Sequence, residues 1–173
     1  MRTSIARRIG VTAAVLGVAL VASACGGGGY KTQTLTFSEK ETDNNGFVSH
    51  LGPPTVKFGP QGPETLSAGD ILSFSSDFVD SSKKKVGEIN GTCSVTRPGP
   101  FEKATATCTA TASLPGGSLI LAAGGTTFAA GTFIGAIIGG TGKYAGAGGT
   151  FTVKQTGDNS PSIDTFHIQI PKK

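Results

Sequence analysis

Tryptophan is missing from this 173-residue chain, methionine occurs once, and charged residues make up only 15% of it. The two histidines, His50 and His167, lie far apart and have no metal-ligand spacing, so no metal site is expected. No nucleophile elbow is present. The one basic run, Lys83-Lys84-Lys85, has no interleaved aromatics and reads as a solvated turn, which excludes a nucleic-acid footprint. The formal charge of +4 is largely a property of the leader: without Arg2, Arg7 and Arg8, twelve basic residues face eleven acidic ones.

What the chain has in quantity is glycine, 27 residues in all. Phe133 to Phe151 holds seven of them in 19 positions, too many for a stable helix at roughly 1 kcal/mol each relative to Ala. The corner Gly139-Gly140-Thr141-Gly142 joins an apolar strand-like run to a second strand. By letter, Gly140 to Ala145 fits a dinucleotide fingerprint. That fingerprint must open a helix, and Gly-Ala-Gly-Gly-Thr follows here. A phosphate loop fails as well, since Ile137 stands where its first glycine belongs and Tyr144 follows Lys143. The corner is structural, and no cofactor is expected.

Residues 1–24 read as a signal peptide, with three arginines ahead of an apolar run from Ile9 to Val21 that is short for a membrane span. Its end admits two readings. Ala22-Ser23-Ala24 is an ordinary cleavage site, which would give a secreted chain. The same residues followed by Cys25 form a bacterial lipobox, in which Cys25 carries lipid and residues 25–31 become a glycine-rich tether. Three cysteines are an odd number for an exported chain. Lipidation of Cys25 leaves Cys93 and Cys108 as a pair, and the Arg97–Pro100 turn near their midpoint sets them opposite each other on a hairpin, within disulfide range. The expected location is the cell envelope, held to the membrane by a lipid anchor.

From residue 32 to 171 the pattern is one of period 2 broken by turn residues. Leu35, Phe37, Glu39 and Glu41 share one face of the first strand; Leu72, Phe74, Ser76 and Phe78 share one face of the second. The fourth alternates alanine or Cys108 with threonine, and the eighth sets Asp164, Phe166, Ile168 and Ile170 against Thr165, His167 and Gln169. Residues 42–68, rich in Asn, Gly and Pro, read as a long loop, a possible lid. Eight strands without a helical segment predict an all-β fold, an eight-stranded antiparallel up-and-down β-barrel, because closure removes the exposed edges. Its inward Gly and Ala suggest room for a small apolar ligand.

Gly69-Asp-Ile-Leu-Ser-Phe-Ser-Ser-Asp-Phe-Val-Asp80, then Lys84-Lys-Val-Gly87 and Gly91-Thr-Cys93, resembles the allene oxide cyclase pattern. Gly139 to Gly149 resembles the glycine corner shared by that family and the dirigent proteins. The resemblance runs from about residue 32 to 170. It implies an apolar-lined barrel and, as often in plants, a homotrimer. It sets the family's catalytic glutamate on Glu39, its next polar ligand on Glu41, its water-holding asparagine on Ser76 and its pocket cysteine on Cys93. Phe74, Phe78 and Phe133 complete the expected ligand wall. Two functions compete: a carrier or envelope binding module for a small apolar molecule, and an isomerase, cyclase or dirigent-type protein acting on a confined substrate. Ser76 in place of the asparagine, and Gly148 in place of the dirigent arginine, favour the carrier.

Overall fold

A computed structural model describes residues 29–41, 46–49, 58, 59, 62–128, 131–155 and 161–172. Eight strands form the barrel: β1 (Tyr30–Glu41), β2 (Ile71–Val79), β3 (Lys85–Arg97), β4 (Thr105–Leu114), β5 (Gly117–Thr127), β6 (Thr132–Gly140), β7 (Gly148–Lys154) and β8 (Ile163–Pro171). Each is antiparallel to its neighbours in sequence, and β1 closes the ring by pairing with both β8 and β2. The expected eight-stranded up-and-down barrel is therefore the fold. The fifth strand runs to Thr127 through a register shift between Ala123 and Thr126.

Strand chemistry explains the wall. On β4, Ala106 and Ala112 are fully buried and Leu114 nearly so, while Thr107 and Thr109 face outward. Period-2 alternation of small apolar and threonine residues satisfies both faces of one pleated strand. The closure is staggered. β1 meets β8 over nine residues, from Tyr30↔Pro171 to Ser38↔Ile163, yet meets β2 over only four, Ser38↔Val79 to Glu41↔Ser76. That leaves the first part of β2 without β1, and Gly46–Ser49 pairs there instead, opposite Ile71 to Ser73. Part of the loop expected over 42–68 thus serves as a patch on the sheet edge, which an unpaired strand would otherwise expose.

The two ends differ. Tight connections close one: the 80–84 turn, the 115–116 turn, and the glycine corner. That corner winds through a single 3₁₀ turn, Gly142–Tyr144, and seals the barrel floor with Tyr144, 1% exposed. The backbone N–H of Lys143 donates to Gly116 O at 2.8 Å. Gly142 has φ +58°, and a side chain there would strike the Gly116 carbonyl, so the corner requires glycine. At the opposite end the connections are longer, and a satellite cluster of Leu66, Val95 and Ala104 packs with Leu72, Phe101 and Phe128. Asp70 is buried in the wall there. Its Oδ2 accepts the Ser67 N–H at 2.8 Å and its carbonyl accepts from Val95 N, a structural role. The main core fills the interior between the ends, from Leu119, Tyr144 and Ile168 to Phe78 and Phe166.

Candidate active site

Glu39 sits near the end of β1 on the face of Leu35 and Phe37, as its parity predicts. Its backbone N–H donates to Ser162 O at 2.8 Å, and Phe37 stands directly opposite Asp164 of β8. Glu39 and Asp164 are therefore diagonal neighbours on the inner face, within reach of one another. On its other side Glu39 is opposite Phe78 of β2. One residue thus faces the interior at the seam where three strands meet.

The surroundings are aromatic. Phe37 stacks on Phe78 with ring centroids 4.9 Å apart; Phe78 meets Phe166 edge-on at 5.8 Å, and Phe37 lies 6.1 Å from Phe166. Phe151 adds a ring 6.2 Å from Phe166, and Phe133 another 6.2 Å from Phe151. Five rings from five strands form one apolar wall, and Asp164 is fully buried within it.

Neither oxygen of Asp164 has a hydrogen-bond donor among the described residues. An ionised carboxylate can only accept, so two facing carboxylates cannot satisfy each other. A proton on Asp164 resolves this, by turning it into a donor to Glu39. Burial raises the Asp164 pKa to about 9, helped by the charge of Glu39 and by that hydrogen bond. At neutral pH Asp164 therefore keeps its proton, turned toward the Glu39 carboxyl. Ser76, 3% exposed, is the next polar residue on that face, two pairs further along the β1–β2 ladder from Phe78.

An arrangement of this kind can give a proton to one atom of a small organic molecule and take one from another. Room for such a molecule must come from the rings. The inward glycines expected to leave space are in part covered: a Cβ at Gly91 would lie 2.5 Å from Phe74 Cζ, and one at Gly135 would strike the Phe151 ring. Two concavities stand out among the described residues. One, of about 610 Å³, runs over Ser73, Ser75, Asn90, Thr92, Thr109 and Thr111 and is also lined by Phe74, Gly91 and Ala110. The other, of about 440 Å³, is at the floor end.

Residues 54–165 match the allene oxide cyclase barrel like domain. The chain belongs to the allene oxide cyclase barrel-like family. Among solved structures it is similar to a pyocyanin demethylase, with a TM-score of 0.61 and 24% identity over 78% of this chain and 98% of that one. It is also similar to the pterocarpan synthase dirigent protein GePTS1, with a TM-score of 0.60 and 19% identity over 88% of this chain and all of the other. The Diels-Alderase AbmU from Streptomyces koyangensis aligns with a TM-score of 0.54 and 16% identity, over 80% of this chain and 64% of that one. None of the curated proteins matches the chain by sequence. At these identities the likeness is one of fold.

Within the allene oxide cyclase barrel-like frame, the expected residues fall as follows. Glu39, Ser76 and Phe78 come together at the seam. Phe133 reaches them through Phe151, and Phe74 lies further along β2, against Gly91. Glu41 pairs with Ser76 through the backbone, and its side chain lies outside the described residues, as do Cys25 and His50. His167 is exposed on the outer face, where its Nδ1 bonds Thr34 Oγ1 at 3.2 Å. Cys93 does not act as the pocket thiol that the resemblance implied. It is bonded to Cys108, the residue directly opposite it in register. Among the described residues no cluster of His, Cys, Asp and Glu could hold a metal. The residue that sequence reasoning passed over is Asp164. Its signal was a lone carboxylate on the otherwise apolar face of Phe166 and Ile168.

Proposed function

We propose that the barrel binds a small, largely apolar organic molecule against the Glu39–Asp164 pair and rearranges it by proton transfer, as an isomerase or cyclase. The buried, donorless carboxyl of Asp164 carries this reading, because a carboxyl pair in an aromatic wall is costly to the fold and suited to acid–base work. Asp164 gives its proton to an oxygen of the bound molecule while Glu39 takes one from carbon. The pair again holds one proton, which returns from Glu39 to Asp164, so the cycle closes without a co-reactant. A positioned pair of this kind contributes about 10²–10⁴-fold in rate. Confinement between the rings supplies orientation.

The leader and Cys25 support an exported barrel tethered to the membrane by lipid. Carriage without turnover is the second reading, supported by Ser76 standing where the resemblance expects an asparagine.

Mass spectrometry of the molecule that co-purifies with the barrel identifies the test compound. Asp164→Asn and Glu39→Gln keep shape while removing proton transfer. Each should lower conversion of that compound by about 10²-fold or more while leaving its affinity within a few-fold. Binding with no conversion by the wild type would establish the carrier; conversion unchanged in both variants would remove the pair from the chemistry.

A further inference from the structure

The barrel floor carries three lysines that the proposed ligand site does not use. Lys31 lies at the start of β1, Lys143 in the 3₁₀ turn, and Lys172 directly after β8. Together with Gln33, Ile170 and Pro171 they line the concavity of about 440 Å³, and among the described residues no carboxylate is in its walls. Lys143 is held in place, with its ammonium 4.9 Å from the centre of the Tyr144 ring. The Lys83-Lys84 turn belongs to the same end, because it joins β2 to β3. The nearby carboxylates are occupied: Asp77 and Glu88 hold Lys85 at 2.7 and 2.8 Å, and Asp80 accepts from Ser82 and the Lys84 backbone.

This is also the end where the tether enters. Lys172 N donates to Gly29 O at 2.7 Å, so the entering and leaving segments lie side by side. The four residue-to-residue steps from Cys25 to Gly29 can span at most about 14 Å. A lipid on Cys25 would therefore hold these lysines close to the bilayer surface, within about two Debye lengths of about 8 Å. Tyr30, 60% exposed and opposite Pro171, adds an amphipathic ring of the type that favours membrane interfaces. The proposed ligand end points the other way.

We propose that Lys31, Lys143 and Lys172 form a docking surface for the phosphate headgroups of an anionic bilayer, on which the barrel stands floor-down. The orientation rests on the lipid-anchor reading; the chemistry of the concavity does not. Lysine ammoniums suit phosphate as point charges, and the Ile170–Pro171 rim offers apolar contact to the headgroup region.

Amine acetylation of the intact protein, read lysine by lysine by mass spectrometry, tests this. The probes are vesicles of phosphatidylcholine alone and of phosphatidylcholine mixed with phosphatidylglycerol. On the mixed vesicles Lys31, Lys143 and Lys172 should react at least about fivefold more slowly than on neutral ones, with the protection lost at high salt. Lys103 and Lys154, at the opposite end, should react equally on both. Equal reactivity of the floor lysines on the two vesicle types would overturn the proposal. So would the same protection by sodium phosphate without lipid, which would mark a phosphate site in place of a headgroup surface. The mass of the Cys25 peptide reports separately on the anchor. If it is unacylated, the anchor reading fails, and the footprint on added vesicles still decides the lysine face.

Discussion

Asp164 lies diagonally across the β1–β8 seam from Glu39, fully buried, and among the described residues only the carboxyl of Glu39 offers it a partner that a proton can join. That relationship makes the fold itself sensitive to pH. The Asp164 pKa is raised to about 9 in the folded chain, mainly by burial, against about 3.9 for an ordinary aspartate. Below about pH 4 both states hold the proton and the contribution to stability is complete. Between the two values the folded chain keeps a proton that the unfolded chain has released. Stability therefore falls as pH rises, by up to about 1.4 kcal/mol per unit, until pH passes about 9.

Urea unfolding should accordingly find the wild type up to about 4 kcal/mol less stable near pH 8 than near pH 5. Asp164→Asn, which cannot ionise, should flatten that dependence and be the more stable protein at the alkaline end. A variant that tracks the wild type across the range would mean that Asp164 ionises freely in the folded chain.

The Cys93–Cys108 disulfide closes a loop of 15 residues between β3 and β4. In the chain-entropy model a loop of that size stabilises by about 3 kcal/mol. Replacing both cysteines with alanine should lower stability by that order, and the denatured wild type should show no free thiol at either position without reductant. Titration of two thiols from that pair would rule the bond out.

Processing at Cys25 is checked apart from the barrel. Globomycin treatment should leave the precursor uncut, and Cys25→Ser should be misprocessed. Normal maturation and full release of both the wild type and the variant would end the lipoprotein reading.

Much of this was legible because strand parity is a local property. The alternation of Ala106, Cys108, Ala110 and Ala112 with threonines fixes which side is in, and a turn expected at 97–100 leads to the pairing of Cys93 with Cys108, although β3 runs on to Arg97 and the chain turns at 101–103. Glu39 was placed by the same logic. Its partner was not, because the meeting of Glu39 with Asp164 depends on how β1 and β8, more than 120 residues apart, slide past one another at closure. No local pattern sets that register. The filled interior was missed for a related reason. Small inward residues on one strand read as empty space until the neighbouring strand is known to carry a phenylalanine over them, as Phe74 does over Gly91.

Two glycines of β6 put this ring-over-glycine packing to a direct test. At Gly135 an added Cβ would run into the Phe151 ring and lie 2.7 Å from the Ala122 carbonyl oxygen, both fixed parts of the wall. At Gly139, on the same strand, the nearest atom would be Ile120 Cγ1 at 4.0 Å, an ordinary contact, and the backbone there is not left-handed. Gly135→Ala should therefore destabilise by about 1–3 kcal/mol, as overpacking does, and should displace Phe151 from its place between Phe133 and Phe166. Gly139→Ala should stay within about 1 kcal/mol of the wild type, since it restricts the unfolded chain without a clash. Thermal unfolding of the two variants side by side measures the difference. Equal melting temperatures would mean that Phe151 can leave Gly135 freely. In that case the aromatic wall beside Asp164 would open for a ligand without the cost assigned to it here.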